Sequence, residues 1–224
     1  MAEADKYIAV GDVHGCAASL EALVDKMDPA ELARRQIVFV GDYIDRGPDS
    51  KGVVDFLLSF REDHDCVFLR GNHEQMLLEG IRMGNFANWM LNGGGETLDS
   101  YGDAPGVEDI PDAHMDFFEA TRLFYDTPDY FFVHAGLPPG LTIREAVEDE
   151  EHHSDLLWER SHLAAPETAW EKTVVFGHTP RTRPLRRANM IGIDTGCVFA
   201  SRGMGTLTAV LLPEEEFIQQ PSID

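Results

Sequence analysis

Positive charge is what this sequence has least of: 18 lysines and arginines stand against 40 aspartates and glutamates, a formal net charge of -22. A surface of that sign repels nucleic acid and anionic membranes, whose binding needs basic patches to displace counterions, so neither partner is expected. Cysteine is scarce too. Cys16, Cys66 and Cys197 are widely separated and show no C-x-x-C spacing, which argues against a disulfide framework and a thiolate zinc site. No apolar run approaches the length of a membrane span, and the polar, acidic opening MAEADKYIAV lacks the basic start and apolar core of a secretory signal. The expectation is a cytoplasmic protein acting as a monomer. Any anionic substrate must then be captured by local positive charge, which bound metal ions can supply while the surface stays acidic.

With 43% apolar and 26% charged residues, a chain of 224 residues has the balance of a single domain spanning residues 1–224 with a substantial core. Short apolar, β-branched runs at residues 6–10, 36–40, 66–70, 130–134, 173–178, 190–195 and 207–212 read as buried strands. Between the first three lie helical patterns: Leu20, Leu23, Val24 and Met27 recur at helical spacing, as do Val53, Phe56, Leu57 and Phe60. This β-α-β-α-β start, followed by strands joined through loops, predicts an α/β sandwich of two sheets. Residues 85–101, with Asn92, Gly93, Gly94 and Gly95 between Trp89 and Leu98, read as a broken helix over one side of a site. The acidic stretch from Glu145 to Asp155 reads as a solvated loop or helix edge.

Five polar segments each follow a predicted strand: Gly11-Asp12-Val13-His14-Gly15, Gly41-Asp42-Tyr43-Ile44-Asp45-Arg46-Gly47, Gly71-Asn72-His73-Glu74, His134-Ala135-Gly136 and Gly177-His178-Thr179. In an α/β sheet the carboxyl ends of strands line the crevice where ligands bind, so these segments can converge there. Any one of them alone reads as an ordinary turn in which Asp accepts backbone hydrogen bonds. Five in the same structural context make an improbable set of turns and point to a metal site of carboxylate, amide and imidazole ligands.

In this order the segments resemble the signature motifs of the metallophosphoesterases of the phosphoprotein phosphatase family, and the resemblance covers nearly the whole chain. The run Phe176-Gly177-His178-Thr179-Pro180, then Ile193-Asp194-Thr195-Gly196, looks especially like the branch holding bacteriophage lambda protein phosphatase and its bacterial relatives. The resemblance implies the two-sheet metallophosphoesterase sandwich with flanking helices and an active site at strand ends. It implies that Asp12 and His14 bind one metal, that Asp42 bridges two, and that Asn72, His134 and His178 complete the second. Two divalent transition metals are then expected, with manganese the first choice and iron or zinc the alternatives. A hydroxide held between them would attack phosphorus directly, His73 would protonate the leaving group, and Asp45 would orient His73.

Phosphate oxygens also call for planar, paired donors, and Arg46, Arg70 and Arg160 are the candidates. For Arg160, in Leu157-Trp158-Glu159-Arg160, a surface ion pair with Glu159 or a neighbouring acid is the competing reading. Arg181, Arg183, Arg186 and Arg187 form a basic cluster that reads equally as a substrate rim or a solvated turn. The expected activity is a serine/threonine protein phosphatase acting on a phosphorylated protein or peptide. The alternative is a dinucleoside polyphosphate hydrolase of the diadenosine tetraphosphatase kind. Asp45 and Glu74 are taken to favour the first, since the tetraphosphatases are expected to lack the one and to carry Asp in place of the other. A binding module of the same fold without catalysis is the third reading, and the full ligand set speaks against it.

Overall fold

The computed structural model describes residues 6–103 and 105–224; residues 1–5, the first half of the polar opening, and residue 104 lie outside the described residues. The strands are β1 (Tyr7–Val10), β2 (Gln36–Phe39), β3 (Cys66–Phe68), β4 (Phe124–Asp126), β5 (Tyr130–Val133), β6 (Thr173–Phe176), β7 (Leu185–Arg187), β8 (Met190–Gly192), β9 (Thr206–Leu212) and β10 (Glu216–Pro221). They form two five-stranded sheets, ordered β10-β9-β1-β2-β3 and β4-β5-β6-β8-β7. In the first, β1, β2 and β3 run parallel; in the second, β5, β6 and β8 do. The remaining strands pair antiparallel at the flanks.

The alternation of side chains along each strand sorts the apolar residues into three cores. Tyr7 and Ala9 point between the sheets, where they pack with Val38, Phe132, Val175 and Ile193. Ile8 and Val10 point the other way, onto Leu20 and Leu23 of the helix Ala17–Asp25 and Val53 and Leu57 of the helix Ser50–Asp63. On the far side of the second sheet, Phe131, Val133 and Phe176 pack with Ile143, Leu156 and Trp170. Helices thus cover both outer faces of an α/β sandwich, as strands buried on both faces require. The helix Ser50–Asp63 begins where it does because Asp49 accepts a hydrogen bond from the Gly52 backbone N–H at 2.8 Å.

The sequence reading omitted β4, β7 and β10, all antiparallel, and the helix Asn72–Met83. The segment over residues 85–101 is a broken helix as expected: helical turns at Ala87–Trp89 and Gly95–Asp99 flank a wider turn at Met90–Gly94, where Gly93 takes φ 109°. The acidic stretch supplies a short helix, Ile143–Glu148, capped by Thr142. No helix among the described residues is long and apolar enough to cross a membrane. What matters for function is that β1, β2 and β3 of one sheet and β5 and β6 of the other all deliver their carboxyl ends to one edge, and each leads into one of the five polar segments.

Candidate active site

Asp42 sits at the centre of that edge. Its Oδ2 lies 3.3 Å from His14 Nε2 and 4.0 Å from His73 Nε2, and its Oδ1 lies 3.4 Å from His134 Nε2. Two groups of potential ligands therefore share it: His14, Asp42 and His73 on one side, and Asp42, His134 and His178 on the other. Asn72 belongs with the second group, its Oδ1 lying 3.0 Å from His134 Nε2 and 2.8 Å from His178 Nδ1. In each group of three the potential ligand atoms lie within 4.8 Å of one another, close enough for one cation to reach all of them.

The imidazoles are prepared as ligands by what their other nitrogens do. His14 donates Nδ1–H to the Ile44 carbonyl at 2.9 Å, and His134 donates Nδ1–H to the Val40 carbonyl at 2.9 Å, so each turns a lone pair on Nε2 toward Asp42. Burial holds the His14 imidazole down to about 3 despite the Asp42 carboxylate, and holds His178 down to about 2 with the help of neighbouring His134. Both are neutral near pH 7. For Asp42, burial acts upward, and positive charge on the surrounding imidazoles, His134 and His73 foremost, acts downward and lowers its pKa.

Asp12 lies outside both groups, yet it is in the same charge field. Burial first, then Asp194 and Asp42, push its carboxyl well above the usual range. Burial, reinforced by Asp42 and opposed by the Gly196 N–H, lifts Asp194 to about 7. One Asp12 oxygen accepts the His178 N–H at 2.9 Å; the other is buried without a partner, as are His73 Nε2 and His178 Nε2. Crowded carboxylates, orphaned buried polar atoms and neutral imidazoles are the pattern expected of a site completed by divalent cations, and the donor set fits them.

The backbone is strained at the same places. His14, Asp42, Asp45, Arg46 and His178 all have positive φ, between 47° and 74°. Such conformations cost on the order of 1–3 kcal/mol each in non-glycine residues and persist where the surroundings over-determine them. Two glycines are needed for contact rather than flexibility: a Cβ on Gly177 would fall 1.9 Å from Asp12 Oδ1, and one on Gly71 would fall 2.1 Å from Asp42 Oδ1.

His73 opens the helix Asn72–Met83 and is fully buried. Its Nδ1 is 2.5 Å from Asp45 Oδ2, and Asp45 in turn accepts from Trp89 Nε1 at 2.9 Å and Thr97 Oγ1 at 2.6 Å. Burial disfavours the imidazolium, but Asp42 and Asp45 together outweigh it and raise the His73 pKa. Trp89 and Thr97 come from the broken helix, which explains its position over the site. They escaped the sequence reading, as did Asp194, whose signal was its place in Ile193-Asp194-Thr195-Gly196.

The three expected phosphate-binding arginines separate. Arg46 is at the centre, with Nη1 2.5 Å from His14 Nε2. Arg160 is exposed and lies close enough to lower the pKa of both His178 and Asp194. The Glu159 carboxylate is engaged locally, its Oε1 accepting the backbone N–H groups of Arg160 and Ser161. Arg70 departs from expectation. Its guanidinium donates to Thr121 Oγ1, Gln75 Oε1 and the carbonyls of Phe118, Glu119 and Thr121, closing the end of the helix Asp112–Ala120, and would have to leave these to reach a phosphate. The basic cluster behaves as a paired turn in part, with Arg186 bound to Glu215 and Arg187 donating to the carbonyls of Leu163 and Ala165.

Glu74 also has a role the sequence reading missed. Its carboxylate accepts the backbone N–H groups of Asp42, Tyr43 and Gly71 at 2.8–3.0 Å, so it shapes the ligand loops from beneath. Its contacts are with the loop backbone.

Comparison with known proteins fits this geometry. Residues 6–203 match the calcineurin-like phosphoesterases. The asymmetrical bis(5'-nucleosyl)-tetraphosphatase PrpE of Anoxybacillus flavithermus is 30% identical, over 96% of this chain and 94% of its own. A solved structure assigned as a diadenosine tetraphosphatase superposes with a TM-score of 0.70 at 25% identity, covering 98% of this chain and 95% of that one. A protein serine/threonine phosphatase from Saccharomyces cerevisiae reaches 0.65 at 17% identity, covering 98% of this chain and 81% of its own, a likeness of fold alone. These relatives correct the expected kinship with the lambda-type protein phosphatases toward the nucleoside tetraphosphatases.

Proposed function

The chain belongs to the calcineurin-like phosphoesterase family, and from that premise we propose that it hydrolyses dinucleoside polyphosphates asymmetrically. The observation that carries this is similarity to PrpE tetraphosphatases along almost the full length of both proteins, at 30% and 31% identity in Anoxybacillus flavithermus and a Geobacillus strain. The family makes the protein a metal-dependent hydrolase. In this reading Asp12, His14, Asp42, Asn72, His134 and His178 would hold two divalent ions, manganese by preference. When bound, such ions would offset phosphate charge and lower the pKa of water.

The protein's own residues do the rest. Arg46 and Arg160 hold the phosphate oxygens with charge-assisted hydrogen bonds. A water gives up a proton to solvent as its oxygen forms the new bond to phosphorus, the bond from phosphorus to the leaving nucleotide's oxygen breaks, and His73 delivers its Nε2 proton to that oxygen and is reprotonated from solvent. The Nε2 atom suits that task, being buried without a protein partner while Nδ1 is fixed by Asp45.

One observation favours a second reading. A His–Asp pair this well buried and buttressed suits a poor leaving group such as a serine alkoxide, which supports a phosphoprotein phosphatase. The two readings part on substrate preference. We expect kcat/KM for diadenosine tetraphosphate to exceed that for phosphoserine, phosphothreonine and phosphotyrosine peptides by roughly 100-fold, the discrimination a few well-made contacts provide. The products should be a nucleoside monophosphate and a triphosphate, separable by chromatography. Preference for a phosphopeptide, or release of two diphosphates, would overturn the proposal.

A further inference from the structure

Beside the metal-ligand cluster lies a groove of about 450 Å3 between the turn Met90–Gly94 and the segment Cys197–Arg202. Arg46 joins the two: its side chain lines the groove, and its guanidinium touches His14. We propose that this groove is the subsite for one nucleobase of the substrate, stacked on Phe199 with its exocyclic amine toward Glu96. The inference rests on the nucleotide-hydrolase reading and specifies where that substrate is gripped.

Phe199 is half-buried, and two guanidinium groups approach its ring, Arg46 at 5.5 Å and Arg202 at 4.9 Å from the centroid. In a chain carrying 18 basic residues against 40 acidic ones, two arginines on one aromatic ring form a local exception. A nucleotide matches it: the base stacks on the ring, beside the exposed Arg202, and the phosphate lies toward Arg46 and the metal-ligand cluster.

Glu96 decides which part of the nucleotide enters. It lines the groove and is exposed, so it would repel a phosphate or the acidic side chains of a peptide. The carboxylate accepts from the exocyclic amine of adenine and repels the carbonyl oxygen that replaces that amine in hypoxanthine. The walls are held before any ligand arrives. Gly93 accepts the Arg46 N–H at 3.3 Å, and the far wall is anchored where Gly196 donates to Asp194 at 2.8 Å and Gly205 donates to the Gly196 carbonyl at 2.9 Å.

Titration calorimetry of the manganese-loaded protein with AMP and ribose 5-phosphate tests the subsite without turnover. AMP should bind about tenfold more tightly, within the range of one base–aromatic stack. The gap should close in Phe199→Leu, which keeps an apolar side chain, and survive in Phe199→Trp, which keeps an aromatic face. Glu96→Gln should erase the preference for AMP over IMP. Equal binding of AMP and ribose 5-phosphate, no measurable AMP binding, or a gap that persists in Phe199→Leu would each overturn the proposal. Hydrolysis of the dinucleotide is scored separately. Turnover without a base-dependent gap removes the subsite alone, and a gap without turnover removes the substrate assignment alone.

Discussion

Asp42→Asn is expected to weaken both metal positions at once and to abolish hydrolysis. The two carboxylate oxygens face different groups, Oδ2 toward His14 and Oδ1 toward His134, so one residue serves two sets of ligands. An amide keeps the shape and the acceptor that takes the His73 N–H at 3.1 Å, but it removes the charge and turns one acceptor into a donor. Losing a supporting neighbour of a metal ligand typically costs 10- to 100-fold in affinity, and loss of a shared ligand should cost at least about 100-fold. Elemental analysis after reconstitution with excess manganese reads this directly, and circular dichroism checks that the variant folds. If one ion is retained at full occupancy, the shared role is wrong.

His73→Asn should lower turnover in proportion to how much the leaving group needs a proton. For a poor leaving group the loss should be on the order of 10²- to 10⁴-fold, the usual contribution of a general acid, and for p-nitrophenolate, which departs as an anion, distinctly smaller. Asp45→Asn should repeat the pattern more weakly, and it adds a pH signature. Because the Asp45 carboxylate helps raise the His73 pKa, neutralising it lowers that pKa, so the imidazole loses its proton at lower pH. The alkaline limb of the rate profile should therefore move to lower pH in Asp45→Asn. His73 also lies within the group of His14 and Asp42, so metal content must be measured in parallel. Equal losses for all leaving groups with metals retained, or loss of a metal, would each remove the proton-donor role.

The inner strands and the ligand positions were legible in the sequence for the same reason: a strand buried on both faces must be apolar, and the polar residues that end it stand out. Edge strands give no such contrast. Leu185–Arg187 is two-thirds arginine, and Glu216–Pro221 carries Glu, two Gln and a terminal Pro, compositions suited to an exposed border. The helix Asn72–Met83 hid because its first turn is occupied by Asn72, His73 and Glu74, residues chosen for the site and for the loops beneath it. Trp89 and Thr97 lie 44 and 52 residues from Asp45 and share no motif with it, so only the folded chain brings them to its carboxylate. Arg70 misled for the opposite reason: adjacency to a motif fixes where a backbone goes and leaves a long side chain free to serve the scaffold.

The two sheets meet across an apolar layer, but the atoms around Asp42 come from both: Asp12, His14, Asp42 and Asn72 follow strands of the first sheet, His134 and His178 strands of the second. An ion held by both parties is therefore a rivet between layers as well as a reagent. Its occupancy should be felt in the melting curve, since a ligand at a hundred times its dissociation constant stabilises the folded state by about 2.7 kcal/mol. Chelation would leave the crowded carboxylates of Asp12, Asp42 and Asp194 without a counter-charge and so loosen the seam between the sheets first.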